Sequence, residues 1–167
     1  MNRVRALRAC EKVSRQSGVR LRLPIPVEKQ RKIPMTTQDI DWDQLTAAAT
    51  AALANSYSPY SNFAVGAAAL TIDGRLITGA NIENASYGIT LCAECSLISE
   101  LFRTGGGKLA AFACVDKDGN ALMPCGRCRQ LLYEHSAPGM LLRSTSGVLT
   151  IEQMLPDAFG PDRLAAP

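Results

Sequence analysis

Two cysteine pairs hold most of the chemistry that this sequence offers. Leu91-Cys92-Ala93-Glu94-Cys95 contains the first Cys-x-x-Cys pair, and Pro124-Cys125-Gly126-Arg127-Cys128 contains the second. Thiolates at this spacing are typical ligands of zinc. Each pair lies where a helix is predicted to begin, and the positive partial charge of a helix N-terminus favours the thiolate form. The sequence therefore predicts a zinc site assembled from two helix N-termini.

Glu94, inside the first pair, bears on which kind of zinc site this is. Four thiolates would close the zinc shell and form a structural site, whereas three thiolates leave one position open for water. Zinc lowers the pKa of such a water toward about 7. A neighbouring carboxylate can then take the proton and return it elsewhere. A closed shell leaves Glu94 without a role, so three thiolates are favoured, and a non-enzymatic structural zinc module with four cysteine ligands remains the alternative.

Other familiar kinds of site find little support in the sequence. His135 is the one histidine of the chain, which excludes metal sites built on two or three histidines. The run Gly105-Gly106-Gly107-Lys108 follows a predicted helix and lacks the Ser or Thr of a phosphate loop, so it is interpreted as a helix terminator. The cysteines therefore remain the best candidates for chemistry.

The charge of the chain is divided unevenly along its length. Residues 1–35 hold ten Lys or Arg and two acidic residues, whereas residues 36–167 hold eight Lys or Arg and thirteen acidic residues. An acidic body argues against a nucleic-acid surface, which would need clustered cations. Residues 1–37 are predicted to be a basic, disordered extension, either a targeting segment or an RNA- or lipid-binding arm. Translation from Met35 is the alternative.

The rest of the chain, residues 38–167, is expected to form one domain. Its length suits a single core, and no run approaches the roughly 18 apolar residues of a membrane span. No secretory signal is recognised, which favours a cytoplasmic location where thiols stay reduced. Helices are expected at 41–54, 92–103, 125–135 and 150–155, and strands at 63–70, 75–78, 109–115 and 140–143. Asp41 and Thr150 are predicted to cap the first and last helices, because Gln44 and Gln153 follow them at the three-residue spacing of a capping box. Their order predicts an α/β fold with a mixed sheet, the first two strands antiparallel and the later ones parallel.

Ordered motifs over about residues 39–164 resemble the small homotetrameric cytidine deaminases, of the cytidine and deoxycytidylate deaminase family. The Cys-x-Glu and Pro-Cys-x-x-Cys elements are those of zinc deaminases. The matching stretches are Tyr57-Ser58-Pro59-Tyr60-Ser61-Asn62-Phe63, Val65-Gly66-Ala67-Ala68, Asn81-Ile82-Glu83-Asn84-Ala85-Ser86-Tyr87, Cys92-Ala93-Glu94, Pro124-Cys125-Gly126-Arg127-Cys128-Arg129-Gln130, Leu155-Pro156 and Phe159-Gly160-Pro161.

The resemblance implies a fold, an assembly and a set of site residues. It implies a three-layer α-β-α sandwich around a mixed sheet of about five strands, and a homotetramer. It implies one Zn²⁺ per subunit on Cys92, Cys125 and Cys128, with Glu94 as the proton shuttle. The remaining implied residues contact the nucleoside: Asn81 and Glu83 hold the ribose hydroxyls, Phe63 packs on the pyrimidine, and Phe159 stacks on the base in a neighbouring subunit.

One position departs from the pattern of the family. The usual Arg directly after Cys-Ala-Glu, which hydrogen-bonds the thiolates and offsets their charge, is replaced by Cys95. Three thiolates on Zn²⁺ leave a net charge of −1, which opposes ionisation of the water. Helix dipoles at both ligand pairs can offset part of this charge. Cys95 is expected to be a neutral thiol beside the site that does not bind the metal.

The function implied is the hydrolytic deamination of cytidine and 2′-deoxycytidine by a zinc-bound hydroxide, as in pyrimidine salvage. Glu94 would accept the water proton, protonate N3 of the base and assist the departure of ammonia. A related deaminase acting on another aminopyrimidine nucleoside, such as a blasticidin-type antibiotic, is the closer alternative. The expected partner is a free nucleoside, with no nucleic acid and no membrane.

Overall fold

A computed structural model describes residues 39–164 as one layered α/β unit. The predictions made for residues 1–37, including the basic extension and the start at Met35, lie outside the described residues. Within 39–164, the helices are too short or too polar to span a bilayer. The helices are α1 (Trp42–Ala52), α2 (Ala93–Arg103), α3 (Gly126–His135) and α4 (Ile151–Met154). The strands are β1 (Val65–Thr71), β2 (Leu76–Ala80), β3 (Leu109–Asp116), β4 (Ser136–Ser144) and β5 (Gly147–Thr150).

Local capping explains where the first and last helices begin. The Asp41 carboxylate accepts a hydrogen bond from the Gln44 backbone N–H at 2.8 Å, so it caps α1 as its position predicts. Thr150 and Gln153 bond each other reciprocally at the start of α4, which is the capping box expected there. Both helix starts therefore follow from short-range sequence signals.

The strands form one mixed sheet in the order β2-β1-β3-β4-β5. The β1–β2, β1–β3 and β4–β5 pairs are antiparallel, and β3–β4 is parallel. The expected antiparallel pairing of the first two strands and parallel pairing of β3 with β4 are confirmed. The alternating pattern predicts four strands, and β5 is the additional one. It is only four residues long and forms by pairing back onto β4.

The sheet carries helices on both faces, which confirms the three-layer architecture. Helix α1 covers one face through a cluster that includes Leu45 and Ala49 packed on Ala68, Ala111 and Ala113. Helices α2, α3 and α4 cover the other face, around a larger core. Its fully buried members include Leu97, Leu101, Phe112, Leu132 and Ile151.

Two glycines let the helices on opposite faces approach the sheet closely. A Cβ at Gly66 would lie 2.0 Å from the Ala49 carbonyl oxygen of α1. A Cβ at Gly79 would lie 2.4 Å from the Leu97 backbone nitrogen of α2. Backbone atoms cannot rotate aside, so these positions accept no side chain. The close approach at Gly79 also fixes the position of α2, which begins with Ala93 and Glu94 directly after Cys92.

Candidate active site

One edge of the sheet gathers the residues that the sequence singles out. Val65 at the start of β1 lies opposite Asp116 at the end of β3, and Gly66 lies opposite Ala80 at the end of β2. The chain segments entering β1 and leaving β2 and β3 therefore meet at the same edge. Helices α2 and α3 also begin there, which brings loop residues and helix N-termini together.

Short backbone bridges join the segments at this edge. Ile82 exchanges two hydrogen bonds of 2.9 Å with Leu91, the residue before Cys92. The Glu83 N–H donates to the Tyr57 carbonyl at 2.7 Å, and the Tyr57 N–H donates to the Asn81 carbonyl at 3.0 Å. The Asn81–Glu83 segment is therefore held between the Tyr57 loop and the start of α2.

Three cysteines form the group that can hold a metal ion. The sulfur atoms of Cys92, Cys125 and Cys128 all lie within 4.8 Å of one another. Cys92 and Cys125 are the N-cap residues of α2 and α3, and Cys128 is in the first turn of α3. Tetrahedral zinc with Zn–S bonds of about 2.3 Å would hold sulfurs about 3.8 Å apart. The three thiols are therefore close enough to one another to hold a single zinc ion.

The protein environment affects the three thiols differently. Burial and the nearby Glu94 carboxylate raise the pKa of Cys128. Burial also raises the pKa of Cys92, and the charge of Cys125 adds to this effect. Burial opposes ionisation of Cys125 as well, but hydrogen bonds from the Cys128 backbone and neighbouring thiols leave its pKa lowered overall. Binding of a divalent cation would release the protons of Cys92 and Cys128, the two thiols whose pKa is raised.

Glu94 lies in the first turn of α2, and only 4% of its surface is exposed. Its carboxylate is close enough to the Cys128 thiol to accept a hydrogen bond and to act on its charge. The carboxylate also raises the pKa of Cys114, a buried thiol on β3 whose pKa rises mainly through burial. A buried carboxylate beside the three sulfurs is suited to accept and return a proton at a metal site.

Cys95 does not belong to the three-sulfur group. It lies in the first turn of α2 and is half-buried, and its sulfur is 3.5 Å from Nη2 of Arg127. The same nitrogen lies 3.7 Å from the sulfur of Cys92. Arg127 therefore crosses from the start of α3 to the start of α2 and contacts both thiols. The sequence interpretation assigned no function to Arg127, although its place between two candidate ligands was a signal.

Asn81 directly follows β2, and its side chain organises the loop before β1. Its Oδ1 accepts hydrogen bonds from the Ser56 hydroxyl at 2.6 Å and the Val65 N–H at 2.9 Å. Its Nδ2 donates to the Phe63 carbonyl at 2.9 Å. An amide nitrogen carries two hydrogens, so one donor of Asn81 remains for a ligand. The residue is 8% exposed, which keeps that donor in a fixed direction.

Glu83 is held by the loop that contains Tyr60 and Ser61. Its Oε2 accepts backbone N–H groups from Tyr60 at 2.9 Å and from Ser61 at 3.2 Å. Its Oε1 accepts the Ser61 hydroxyl, whose oxygen in turn accepts the Phe63 N–H at 3.0 Å. The hydrogen bond from Ser61 is the main cause that lowers the pKa of Glu83. Glu83 is therefore an ionised, oriented acceptor, and Ser61 is a contact that the sequence interpretation missed.

Phe63 and Phe159, the two aromatic residues expected to contact the base, are both exposed but have different surroundings. Phe63 is 47% exposed and lies within the same network as Asn81 and Glu83. Phe159 is 59% exposed, and its backbone carbonyl accepts a hydrogen bond from Gln130 of α3 at 2.8 Å. Near Glu83, a surface depression of about 370 Å³ is lined by Tyr60, Ser61, Glu83, Tyr87 and Thr90. This edge can therefore receive a small polar molecule.

Comparison with known proteins gives this geometry a family. Residues 40–142 match the profile described as "Cytidine and deoxycytidylate deaminase zinc-binding region". The cytidine deaminase of Mycobacterium tuberculosis is 56% identical over 126 residues, covering 75% of this chain and 95% of that protein. The cytidine deaminase of Halalkalibacterium halodurans is 39% identical over 125 residues, which cover 72% of this chain and 95% of that protein.

A solved structure agrees with the sequence matches. The crystal structure of cytidine deaminase from Mycobacterium leprae superposes with a TM-score of 0.70 at 62% identity, covering 71% of this chain and all of that chain. The matched region contains all three clustered cysteines and Glu94. The expected zinc cofactor is therefore confirmed along with the fold. The chain belongs to the cytidine and deoxycytidylate deaminase family.

Proposed function

We propose that this protein hydrolyses cytidine and 2′-deoxycytidine to uridine and 2′-deoxyuridine with release of ammonia. The observation that supports this function most strongly is the buried Glu94 carboxylate beside the group formed by Cys92, Cys125 and Cys128. The named activity of relatives that are 56% and 39% identical supports the same reaction. The acidic balance of residues 36–167 favours a free nucleoside over a nucleic acid as substrate.

Three thiolates, from Cys92, Cys125 and Cys128, would hold the zinc ion. Bound zinc supplies Lewis acidity, which lowers the pKa of a water toward about 7. Cys92 and Cys125 cap helices α2 and α3, so both helix N-termini direct positive partial charge toward the thiolates. The protein thus stabilises three anionic ligands within a few ångströms of one another.

Glu94 would carry the proton through the reaction. Water adds its oxygen to C4 of the cytosine ring, and Glu94 takes the proton released and delivers it to N3. The proton left on the new C4 hydroxyl would then pass to N4, again by way of Glu94. The C4–N4 bond breaks, N4 leaves as ammonia, and C4 keeps the oxygen as the carbonyl of uracil. The burial of Glu94 excludes bulk water, which limits loss of this proton to solvent.

Asn81 and Glu83 would bind the ribose. The remaining N–H of Asn81 can donate to a hydroxyl oxygen, while the Glu83 carboxylate can accept a hydroxyl hydrogen. Both side chains are already fixed by hydrogen bonds to the segment from Ser56 to Val65. Substrate binding therefore needs little further ordering of these groups, which favours affinity.

Phe63 would pack on the pyrimidine, and Phe159 would stack on the base in a neighbouring subunit of a homotetramer. Support for assembly comes from the large apolar side chains exposed on residues 57–63 and 82–91, around the same edge. They are Tyr57, Tyr60, Phe63, Ile82, Tyr87, Ile89 and Leu91. Such a patch is typical of a surface that another molecule covers.

The assembly is tested by size-exclusion chromatography with light scattering on the wild type and on Tyr87→Glu. Tyr87 is 75% exposed, so a charge there should leave the monomer folded while weakening contacts between subunits. We expect four copies for the wild type and smaller species for the variant. Wild-type protein that runs as an active monomer would exclude a role for a neighbouring Phe159.

The reaction is tested by measuring ammonia release from cytidine with zinc content determined on the same samples. Glu94→Gln removes the proton carrier but keeps the side-chain shape. We expect zinc to be retained and kcat to fall by about 10²- to 10⁴-fold, the usual contribution of general acid–base catalysis. Zinc-loaded wild type that deaminates neither cytidine nor deoxycytidine would refute the function, and a panel of aminopyrimidine nucleosides would then reveal a related substrate.

The ligand assignment is tested separately with Cys125→Ala and Cys95→Ala. Cys125 belongs to the three-sulfur group and Cys95 does not, so the two variants are a matched pair. We expect Cys125→Ala to lose bound zinc and Cys95→Ala to retain it. Equal loss of zinc in both variants would instead support a four-thiolate structural site.

We place the enzyme in the cytoplasm because these free thiols must stay reduced.

A further inference from the structure

Arg127 has an environment that its location on the surface does not explain. It is an exposed residue at the start of α3, between Cys125 and Cys128. Its Nη2 lies 3.7 Å from the Cys92 sulfur and 3.5 Å from the Cys95 sulfur, both on the other helix. Within residues 39–164, the ion pairs with carboxylates are formed by other cations. The side chain is therefore directed at sulfur and not at an acidic partner.

The neighbouring arginine, Arg129, shows what a purely structural role looks like in the same helix. Its Nε donates to the Pro124 carbonyl at 2.8 Å, and its Nη1 donates to the Met154 carbonyl at 3.4 Å. Those bonds join α3 to Pro124, the residue before Cys125, and to α4. Arg127, in contrast, makes its contacts with the thiols of Cys92 and Cys95.

Charge gives a reason for this arrangement. Zn²⁺ held by three thiolates has a net charge of −1, so the group formed by Cys92, Cys125 and Cys128 would keep an excess of negative charge. The guanidinium of Arg127 remains positively charged at every physiological pH. Cation-to-thiolate hydrogen bonds both orient the sulfur and reduce its negative charge. A cation within hydrogen-bond reach of Cys92 therefore favours metal binding by three thiolates.

We propose that Arg127 is a positioning residue for the metal centre, which orients the Cys92 thiolate through an N–H···S hydrogen bond and offsets the charge of the three-thiolate group. Cys95 accepts the second contact and fixes the direction of the guanidinium. In this way Arg127 fills, from the other helix, the role that the family pattern assigns to an arginine at position 95. The inference rests on the proposed ligand set, but its test does not depend on the substrate.

The test compares zinc affinity and ligand spectroscopy of the full chain with those of Arg127→Ala and Arg127→Lys. Groups that support metal ligands change affinity by about 10- to 100-fold, and the exposure of Arg127 favours the lower end, so we expect Arg127→Ala to weaken zinc binding about tenfold. Lysine keeps the charge but has a shorter reach and lacks the planar fork, so it should recover part of the loss. Affinity is measured by competition with a chromophoric chelator.

Cobalt(II) substitution gives a readout that stability alone would not change. The thiolate-to-cobalt absorption reports the Cys92–metal contact, so Arg127→Ala should shift this band. The control is Arg103→Gln, which removes an exposed arginine paired with Glu100 on α2, outside the site. We expect the control to keep the zinc affinity and cobalt spectrum of the wild type. Circular dichroism of every variant checks that each one is folded.

A relocated arginine separates charge at the site from damage to the loop. Because Cys95 is 3.5 Å from the same Nη2, Cys95→Arg places a guanidinium in the same region. The double variant Cys95→Arg/Arg127→Ala should therefore recover most of the zinc affinity lost in Arg127→Ala. Unchanged zinc affinity and cobalt spectrum in Arg127→Ala would overturn the proposal, and so would failure of both Arg127→Lys and the double variant to recover affinity. Absence of cytidine turnover in the zinc-loaded wild type would instead count against the proposed function.

Discussion

Replacing Gly79 by alanine should displace the helix that carries part of the site. The added Cβ would lie 2.4 Å from the Leu97 nitrogen and 2.5 Å from the Ala93 carbonyl oxygen. Ordinary contact begins near 3.4 Å. Because both obstructing atoms belong to the backbone, α2 must withdraw from β2 by about 1 Å to relieve the clash.

The displacement would affect stability first. The core side of α2 buries Leu97, Ile98 and Leu101, and the Ser96 hydroxyl bonds the Ala80 carbonyl at 2.8 Å across the same contact. Overpacking in a close-packed interior costs about 1–3 kcal/mol. We expect the free energy of unfolding of Gly79→Ala to fall by about 3 kcal/mol, the upper end of this range, because no side-chain rotation can relieve the contact.

Activity should fall further than stability requires, because α2 carries Glu94 and follows Cys92 directly. A misplacement of about 1 Å in catalytic geometry can cost roughly 100-fold in rate. Urea unfolding gives the free energy, and kcat/KM for cytidine with zinc content gives the catalytic effect on the folded fraction. We expect about a 100-fold lower kcat/KM in protein that is still folded.

The matched control is Thr78→Ser, one residue before Gly79 on β2, which removes a methyl group from an exposed side chain outside the apolar patch at 57–63 and 82–91. Its free energy of unfolding should stay within about 0.5 kcal/mol of the wild type, as is usual for exposed sites. Wild-type stability in Gly79→Ala would refute the close contact between α2 and β2. Lost stability with full kcat/KM would show instead that the catalytic groups tolerate movement of α2.

Three further predictions concern the nucleoside side of the site and the extent of the domain. Ser61→Ala removes the main hydrogen bond that lowers the pKa of Glu83, so this pKa should rise toward its ordinary 4.5. Since the ionised form binds ribose in our proposal, the acid-side increase in KM should begin at higher pH in Ser61→Ala, with kcat little changed; an unchanged pH profile of KM would contradict this. Asn81→Ala should raise KM more than Ser61→Ala, because it also releases Ser56 and Val65, and equal KM values would argue against this network. A chain starting at residue 38 should keep the unfolding midpoint and kcat/KM of the full chain if 38–167 is one domain, and its aggregation or unfolding would show otherwise.

Local signals made much of the fold predictable from the sequence. The two helix caps, at Asp41 and Thr150, depend on side chains three residues from their partners, and both were found at the predicted places. The turn at Gly74 has a φ of +84°, which the Asp73-Gly74 pair indicates. The metal site could also be predicted from the sequence, because the spacing within each Cys-x-x-Cys pair is a local property of the chain.

Strands that depend on pairing were harder to predict. The expected strand at 140–143 is part of the longer β4, which starts at Ser136. Between the Leu109–Ser136 and Ala111–Leu141 pairs the register shifts, so the intervening residues of β4 form an irregular segment. That segment contains Pro138 and Gly139, and Gly139 has a φ of +73°. Such residues are typical of turns. Their place within β4 depends on pairing with β3, which the local sequence does not indicate.

The residues proposed to bind the nucleoside could be identified only from a resemblance or from a structure. Asn81 bonds Ser56, Phe63 and Val65, which are 16 to 25 residues away, and no periodicity reports contacts of that kind. Arg127 reaches Cys92 across 35 residues for the same reason. Polar residues in loops follow no hydrophobic pattern, so sequence reasoning alone would interpret them as solvated turns.

The antiparallel β1 strand explains why the three-cysteine group and the proposed ribose-binding residues lie at the same edge of the sheet. Both β2 and β3 run opposite to β1, so the ends of β2 and β3 lie at the edge where β1 begins. From there the chain leads into the Asn81–Glu83 segment after β2 and toward Cys125 after β3. Helices α2 and α3 must start near this edge to return along the sheet, which brings the N-caps Cys92 and Cys125 together. The same topology thus places two hydrogen-bonded polar side chains, Asn81 and Glu83, near the positive helix ends that favour thiolates.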